Sequence, residues 1–258
     1  MRRLLASLLV VLAPWMAQPG VEATPRRDGP PAPGRRSRSI GYPWEGSLRR
    51  AARLEESPRV RYLPEVREQD HFYGTWELEQ LIERAAARVA GRIPGAPLTV
   101  GELSARRGGP IAGHRSHQNG RDADLAFYML GPRGPFAPFA FARFGGDGAG
   151  REPNEMLRFD DDRNWELVAK LVADGDARVQ HIFVARPLRR RLLRTGSRRR
   201  APAAVLRRAA AVLGQPGHGH RHANHFHVRI YCAPADRSVC TDRGPFHPWY
   251  PGRPPRPD

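Results

Sequence analysis

Two segments with a repeat of two residues constrain the fold most, because each is apolar on one side and carries metal-binding groups on the other. From Asp122 to Met129, one side holds Ala123, Leu125, Phe127 and Met129, and the other holds Asp122, Asp124, Ala126 and Tyr128. That is the period of a β-strand. From His225 to Tyr231 the same alternation sets Phe226, Val228 and Ile230 against His225, His227, Arg229 and Tyr231. Each apolar side packs on a core, so the polar sides look out from the sheet. Asn119-Gly120, just ahead of the first segment, is a turn signal: Gly accepts positive φ and Asn tolerates it. Such a turn lets His117 bend back over the strand start and converge with Asp124. Zinc hydrolases commonly use three nitrogen or oxygen ligands and leave a further position for water. Of two histidines sharing a strand face, one can ligate and the other act on the water. The helical His-Glu-x-x-His pattern of many metalloproteases is absent from the sequence.

The order His-x6-Asp, followed much later by His-x-His, is similar to that of the zinc peptidases that include D-alanyl-D-alanine carboxypeptidases, lysostaphin-type endopeptidases and penicillin-insensitive murein endopeptidases. Within that group, Gly113-His114-Arg115-Ser116-His117-Gln118-Asn119-Gly120-Arg121-Asp122-Ala123-Asp124 and His225-Phe226-His227-Val228-Arg229-Ile230-Tyr231-Cys232 most resemble the murein endopeptidases. The resemblance implies that His117, Asp124 and His227 ligate Zn2+ and that His225 is the catalytic histidine. His114 and His222 resemble further active-site histidines. It also implies the D-alanyl to meso-diaminopimelyl cross-link of peptidoglycan as substrate. Asp122 is placed either to orient a ligand histidine by a hydrogen bond, a common device around zinc, or as an ordinary polar strand residue. Members of the family can carry an additional metal-binding Asp and His between the two motifs. Residues 128–180 hold no histidine, which sets this chain apart. Asp160, Asp161 and Asp162 read instead as the cap and first-turn charges of a helix near Trp165 to Ala173. His218 and His220 sit in a Gly-rich loop, and His71, His181 and His247 are assigned no role.

The expected organisation is a signal peptide over residues 1–23, a Pro/Arg-rich linker over 24–38, one catalytic domain over 39–245 and a Pro-rich tail over 246–258. Arg2 and Arg3, the apolar run Leu4 to Ala13 and the small-residue site Val21-Glu22-Ala23 make the export signal. That run is too short for an ordinary spanning helix, so the mature chain is expected without a transmembrane anchor, in the periplasm or secreted. Cys232 and Cys240 are the only cysteines; in an oxidising compartment they are expected to pair, and no others are available for a cysteine zinc site. The net charge of +17 suits an anionic polymer such as peptidoglycan. The positive residues are arginines except for Lys170, and the run from Arg189 to Arg200 reads as a solvated surface. No nucleic-acid module is present, and no sequence signal sets an oligomeric state.

Thr75 caps an expected helix whose apolar face is Leu78, Leu81, Ile82, Ala85 and Val89. Pro97 to Leu103 and Val179 to Ala185 read as strands and Ala203 to Leu213 as a helix. The fold class is therefore α+β: a small, mainly antiparallel sheet with helices around it and the metal cleft on one sheet face. Two other functions use the same residues. A D,D-carboxypeptidase would trim a terminal D-alanine with the same zinc chemistry, and a wall-binding module would keep fold and zinc without turnover; His225 beside His227 argues against the latter.

Overall fold

The computed structural model describes residues 36–217 and 220–252. The expected signal, most of the expected linker and His218 lie outside them. At the centre is a six-stranded sheet in the order Leu213–Gly214, Val179–Phe183, His225–Ile230, Asp122–Ala126, Leu98–Val100, Val60–Tyr62. The three inner pairings are antiparallel and the two outer ones parallel. Ala123, Leu125, Phe226 and Val228 are wholly buried, on the side the two-residue period assigns to the core. Helices α1 (Pro64–Gln69), α2 (Trp76–Arg92), α3 (Asp161–Ala173), α4 (Arg186–Arg198) and α5 (Ala203–Val212) complete the α+β fold. Among the described residues no helix is long and apolar enough to cross a membrane.

Local chemistry sets the helix starts. Thr75 accepts a hydrogen bond from the Leu78 amide, and Leu78, Leu81, Ile82, Ala85 and Val89 join the same hydrophobic cluster as the central strands. Asp160 accepts from the Arg163 amide and caps α3, the role read for it above. The Asp122 strand ends at Ala126, and the chain re-pairs from Met129 to Gly131 with Arg158–Phe159, so the expected single strand to Met129 is broken. Helix α4 keeps the arginine run on its solvent side, with Arg190, Arg194 and Arg198 exposed, while Leu188, Leu192, Thr195 and Gly196 form a buried stripe that the sequence reading did not include.

The packed body is also longer at both ends than the expected 39–245 domain. Ser37, expected in the linker, is buried, and its hydroxyl accepts from the Trp76 amide. Residues 246–252, expected as tail, hold Trp249, whose indole N–H donates to the Val179 carbonyl at 2.9 Å. Cys232 and Cys240 form a disulfide just past the histidine strand, a closure worth about 2.5 kcal/mol in the chain-entropy account. Beside it the buried Arg121 guanidinium donates to Asp242 Oδ1 (2.6 Å) and to the carbonyls of Ile230 and Thr241. The strand end that carries His227 is thereby fixed.

Gly120 forms the turn before the Asp122 strand at φ +76, and a Cβ there would stand 2.8 Å from both Leu48 methyls. Gly120→Ala combines that overlap with an unfavourable φ. It is expected to cost roughly 1–3 kcal/mol in denaturant unfolding, with the midpoint shifted and the slope unchanged.

Candidate active site

Strand register builds the site. His227 lies opposite Asp124, Arg229 opposite Asp122 and His225 opposite Ala126. Side chains directly across an antiparallel pair are about 5 Å apart at Cβ, so the register alone sets the Asp124 carboxylate beside the His227 ring. His117 enters from the turn at φ +68, a conformation that needs external support in a non-glycine residue. Three hydrogen bonds supply it. Its amide donates to Asp122 Oδ2 (3.1 Å), its carbonyl accepts from Ser104 Oγ (2.5 Å), and its Nδ1 lies 2.6 Å from the Leu103 carbonyl. A carbonyl only accepts, so Nδ1 carries the proton and Nε2 presents a lone pair to the cleft.

His117 Nε2 is 3.2 Å from His227 Nδ1, His227 Nδ1 is 2.9 Å from Asp124 Oδ1, and His117 Nε2 is 3.5 Å from Asp124 Oδ1. These edges bracket the roughly 3.3 Å edge of a tetrahedron with bonds of about 2.0 Å, the geometry typical of Zn2+. His114 joins the group, with Nδ1 3.7 Å from Asp124 Oδ2; His114, His117 and Asp124 offer ligand atoms within 4.8 Å of one another. All of the ligands inferred from the family pattern therefore meet at one point, with His114 beside them.

Charge in the site is balanced by a proton. Full burial acts to lower the His227 pKa, but the Asp122 and Asp124 carboxylates outweigh it and raise it to about 9. Burial acts upward on Asp122 and Asp124 themselves, yet Arg229 and His227 at the first, and His225 and His117 at the second, hold both well below the usual carboxylate range. Two carboxylates and the His117 lone pair thus gather around one imidazolium. That donor set fits a divalent cation in place of the proton.

Asp122 is fully buried and accepts from the Arg229 guanidinium at 2.6 and 3.2 Å as well as from the His117 amide. His227 Nε2 is 3.3 Å from its Oδ1, within ion-pair reach but without the alignment of a hydrogen bond. Asp122 therefore touches both ring-bearing residues, which favours an orienting role over an ordinary polar strand position.

The remaining histidines ring the same point. His225 stacks on Phe141 at 4.6 Å, its Nε2 is 3.6 Å from Asp124 Oδ1, and its Nδ1 is buried without a hydrogen-bond partner. Burial lowers its pKa although Asp124 opposes this. His222, at φ +49, sits 5.1 Å from the His225 ring. Burial, with neighbouring histidines, pushes His114 and His222 down to about 4, so at neutral pH both are uncharged. His220 also lines the cleft, whereas His71, His181 and His247 do not.

The cleft holds about 480 Å³, with Leu63, Phe139, Phe141 and Phe183 as its apolar walls. Glu102 was not anticipated: it lines the cleft with Oε2 3.8 Å from His114 Nε2. Burial raises its pKa. It follows the Leu98–Val100 strand, and nothing in its spacing to His114 marks it; the only signal was an acidic residue beside Gly101 at a strand end. Another depression, of about 930 Å³, lies elsewhere, between the residues around Arg208 and Trp249, and among the described residues it holds no group of metal donors.

Comparison with known proteins agrees with this geometry. The family described as penicillin-insensitive murein endopeptidase matches residues 39–249. A curated relative from Haemophilus influenzae, named penicillin-insensitive murein endopeptidase, is 30% identical over 247 residues, covering 93% of this chain and 77% of the relative. The match takes in both the His117–Asp124 turn and the His225–His227 strand, and with them the segment as far as Trp249, so the chain belongs to the penicillin-insensitive murein endopeptidase family.

Proposed function

We propose that the protein is an exported, zinc-dependent murein endopeptidase that hydrolyses the D-alanyl to meso-diaminopimelyl cross-link. The observation that carries this reading is the meeting of His117 Nε2, His227 Nδ1 and Asp124 Oδ1 within 3.5 Å of one another, in a cleft shared with His225. His117, Asp124 and His227 would hold Zn2+, which when bound supplies a Lewis acid and an acidified water.

The chain's own groups do the rest. Asp122 fixes the His117 turn through its amide and faces the outer nitrogen of His227, so both rings are oriented before substrate arrives. His225 is uncharged at neutral pH and has a buried ring nitrogen with no partner; it accepts the proton of the attacking water. His114 and His222, also uncharged, orient that water or carry a proton towards the leaving amine. Phe141 covers one face of the His225 ring. Arg115 lines the cleft and meets no carboxylate within ion-pair distance among the described residues, while Arg229 is committed to Asp122. Arg115 would hold the free carboxylate carried by the leaving D-centre.

A terminal D-alanine carries the same carboxylate, so the carboxypeptidase alternative is separated by products. Purified cross-linked and uncross-linked muropeptides are digested side by side: loss of dimers supports the endopeptidase, D-alanine release from monomers supports the carboxypeptidase, and binding without either supports a wall-binding module.

Metal affinity has a defined pH dependence. In the metal-free protein His227 holds its proton up to about 9, and a ligand must lose it. Apparent Zn2+ affinity is expected to rise about tenfold per pH unit from neutrality towards about 9, with one proton released per ion, read by competition with a chromogenic chelator. The metal-free fold behaves oppositely. Its pKa is raised above the ordinary 6.5, so the stabilisation is full below 6.5 and is lost as pH rises through about 9. Chelated protein should melt lower at high pH.

A further inference from the structure

A second depression, of about 600 Å³, is lined by Arg49, Arg50, Arg106 and Arg107 with Ser47, Leu48 and Ala51. All four arginines are exposed, no carboxylate lines the groove, and none of the four forms an ion pair among the described residues. The framework beneath them is well defined. The Leu48 amide donates to the Arg107 carbonyl at 2.9 Å, and Ser47 bridges to Gly108. Arg50 is turned at φ +48, with its Nε donating to the Arg36 carbonyl at 3.0 Å. Four guanidinium groups around one groove repel one another, and an anion relieves that repulsion. Their planar forks match a carboxylate in two-point contact.

The groove is also tied to the catalytic turn. The Gly109 amide donates to the Gln118 carbonyl at 2.9 Å, one residue after His117. An anionic chain held by Arg106 and Arg107 is therefore kept close to the cleft without entering it.

We propose that this groove is a non-catalytic binding site for a polyanion, the free carboxylates of murein stem peptides, and that it holds the enzyme on the wall while the cleft acts. The choice of murein as carrier of those carboxylates rests on the function proposed above; the anion site itself does not. It differs from the cleft in having no histidine or carboxylate among its lining residues.

The test is co-sedimentation with insoluble murein sacculi, native or with their carboxylates amidated, using the wild type and an Arg49→Gln, Arg106→Gln, Arg107→Gln triple variant. Single Arg49→Gln and Arg106→Gln variants run alongside. On native sacculi the triple variant is expected to bind about tenfold more weakly, and each single variant about two- to threefold. Wild-type binding should weaken as salt approaches about 0.15 M, and amidation should bring the wild type down to the variant's level. Cleavage of soluble dimers should be unchanged. Equal sedimentation of wild type and variants on native sacculi would overturn the proposal. So would a difference that persists on amidated sacculi, which would point to a phosphate or another anion. If wild-type protein fails to cleave soluble dimers, the endopeptidase reading fails, while the sedimentation result still decides the groove.

Discussion

His227→Ala is expected to abolish stoichiometric Zn2+ binding and to lower turnover of cross-linked muropeptides by at least about a thousandfold. His227 contributes a donor 3.2 Å from His117 Nε2 and 2.9 Å from Asp124 Oδ1. Its loss also leaves Asp122 and Asp124, both buried, without the imidazolium that balances them in the metal-free protein. Removing one partner of a buried pair typically costs roughly 3–5 kcal/mol; Arg229 remains on Asp122, so the loss should fall towards the lower end of that range. Calorimetry and metal content measured on the same preparation separate the two effects. An alanine variant that stays folded, binds one equivalent of zinc and turns over normally would remove His227 from the site.

His225→Gln should behave differently, retaining zinc and lowering kcat by about 10² to 10⁴ with little change in melting temperature. The ring reaches Asp124 only at 3.6 Å and lies over Phe141, so it borders the metal donors without completing them. Glutamine keeps a polar group of similar reach but cannot take up a proton. Because burial lowers the His225 pKa, the acid limb of the wild-type kcat profile should lie below the ordinary histidine value of 6.5, and a nearby cation moves it further the same way. The variant should lose that limb. A large fall in zinc content instead would make His225 a ligand.

The site was more legible in the sequence than the outline of the domain. Alternation in Asp122–Ala126 and His225–Ile230 placed Asp124, His225 and His227 on one face because side-chain direction in a strand depends only on position. His117 was legible through Asn119-Gly120, since only a reversal there brings it over the strand. Helix α4 was hidden by its own charge: six arginines between Arg186 and Arg198 obscure a stripe in which Leu188 and Leu192 are wholly buried. Small size matters there too, as Gly196 lies against the Trp165 ring where no Cβ fits. The 246–252 segment was misread because its prolines suggested a tail, while Trp249 is tied to the sheet edge and the Tyr231 hydroxyl donates to the Pro245 carbonyl at 2.6 Å. Glu102 and Phe141 reach the cleft through tertiary contacts alone, and no local period records those.

The most direct test of a zinc-dependent cross-link hydrolase is to titrate Zn2+ into metal-depleted protein and follow the loss of cross-linked muropeptide dimers. Activity should be absent at first, rise in proportion to added zinc and level off near one equivalent, with monomers as the product and a chelator reversing the gain. Dimer cleavage by fully metal-depleted protein, or dimers that survive with the site filled, would contradict the account.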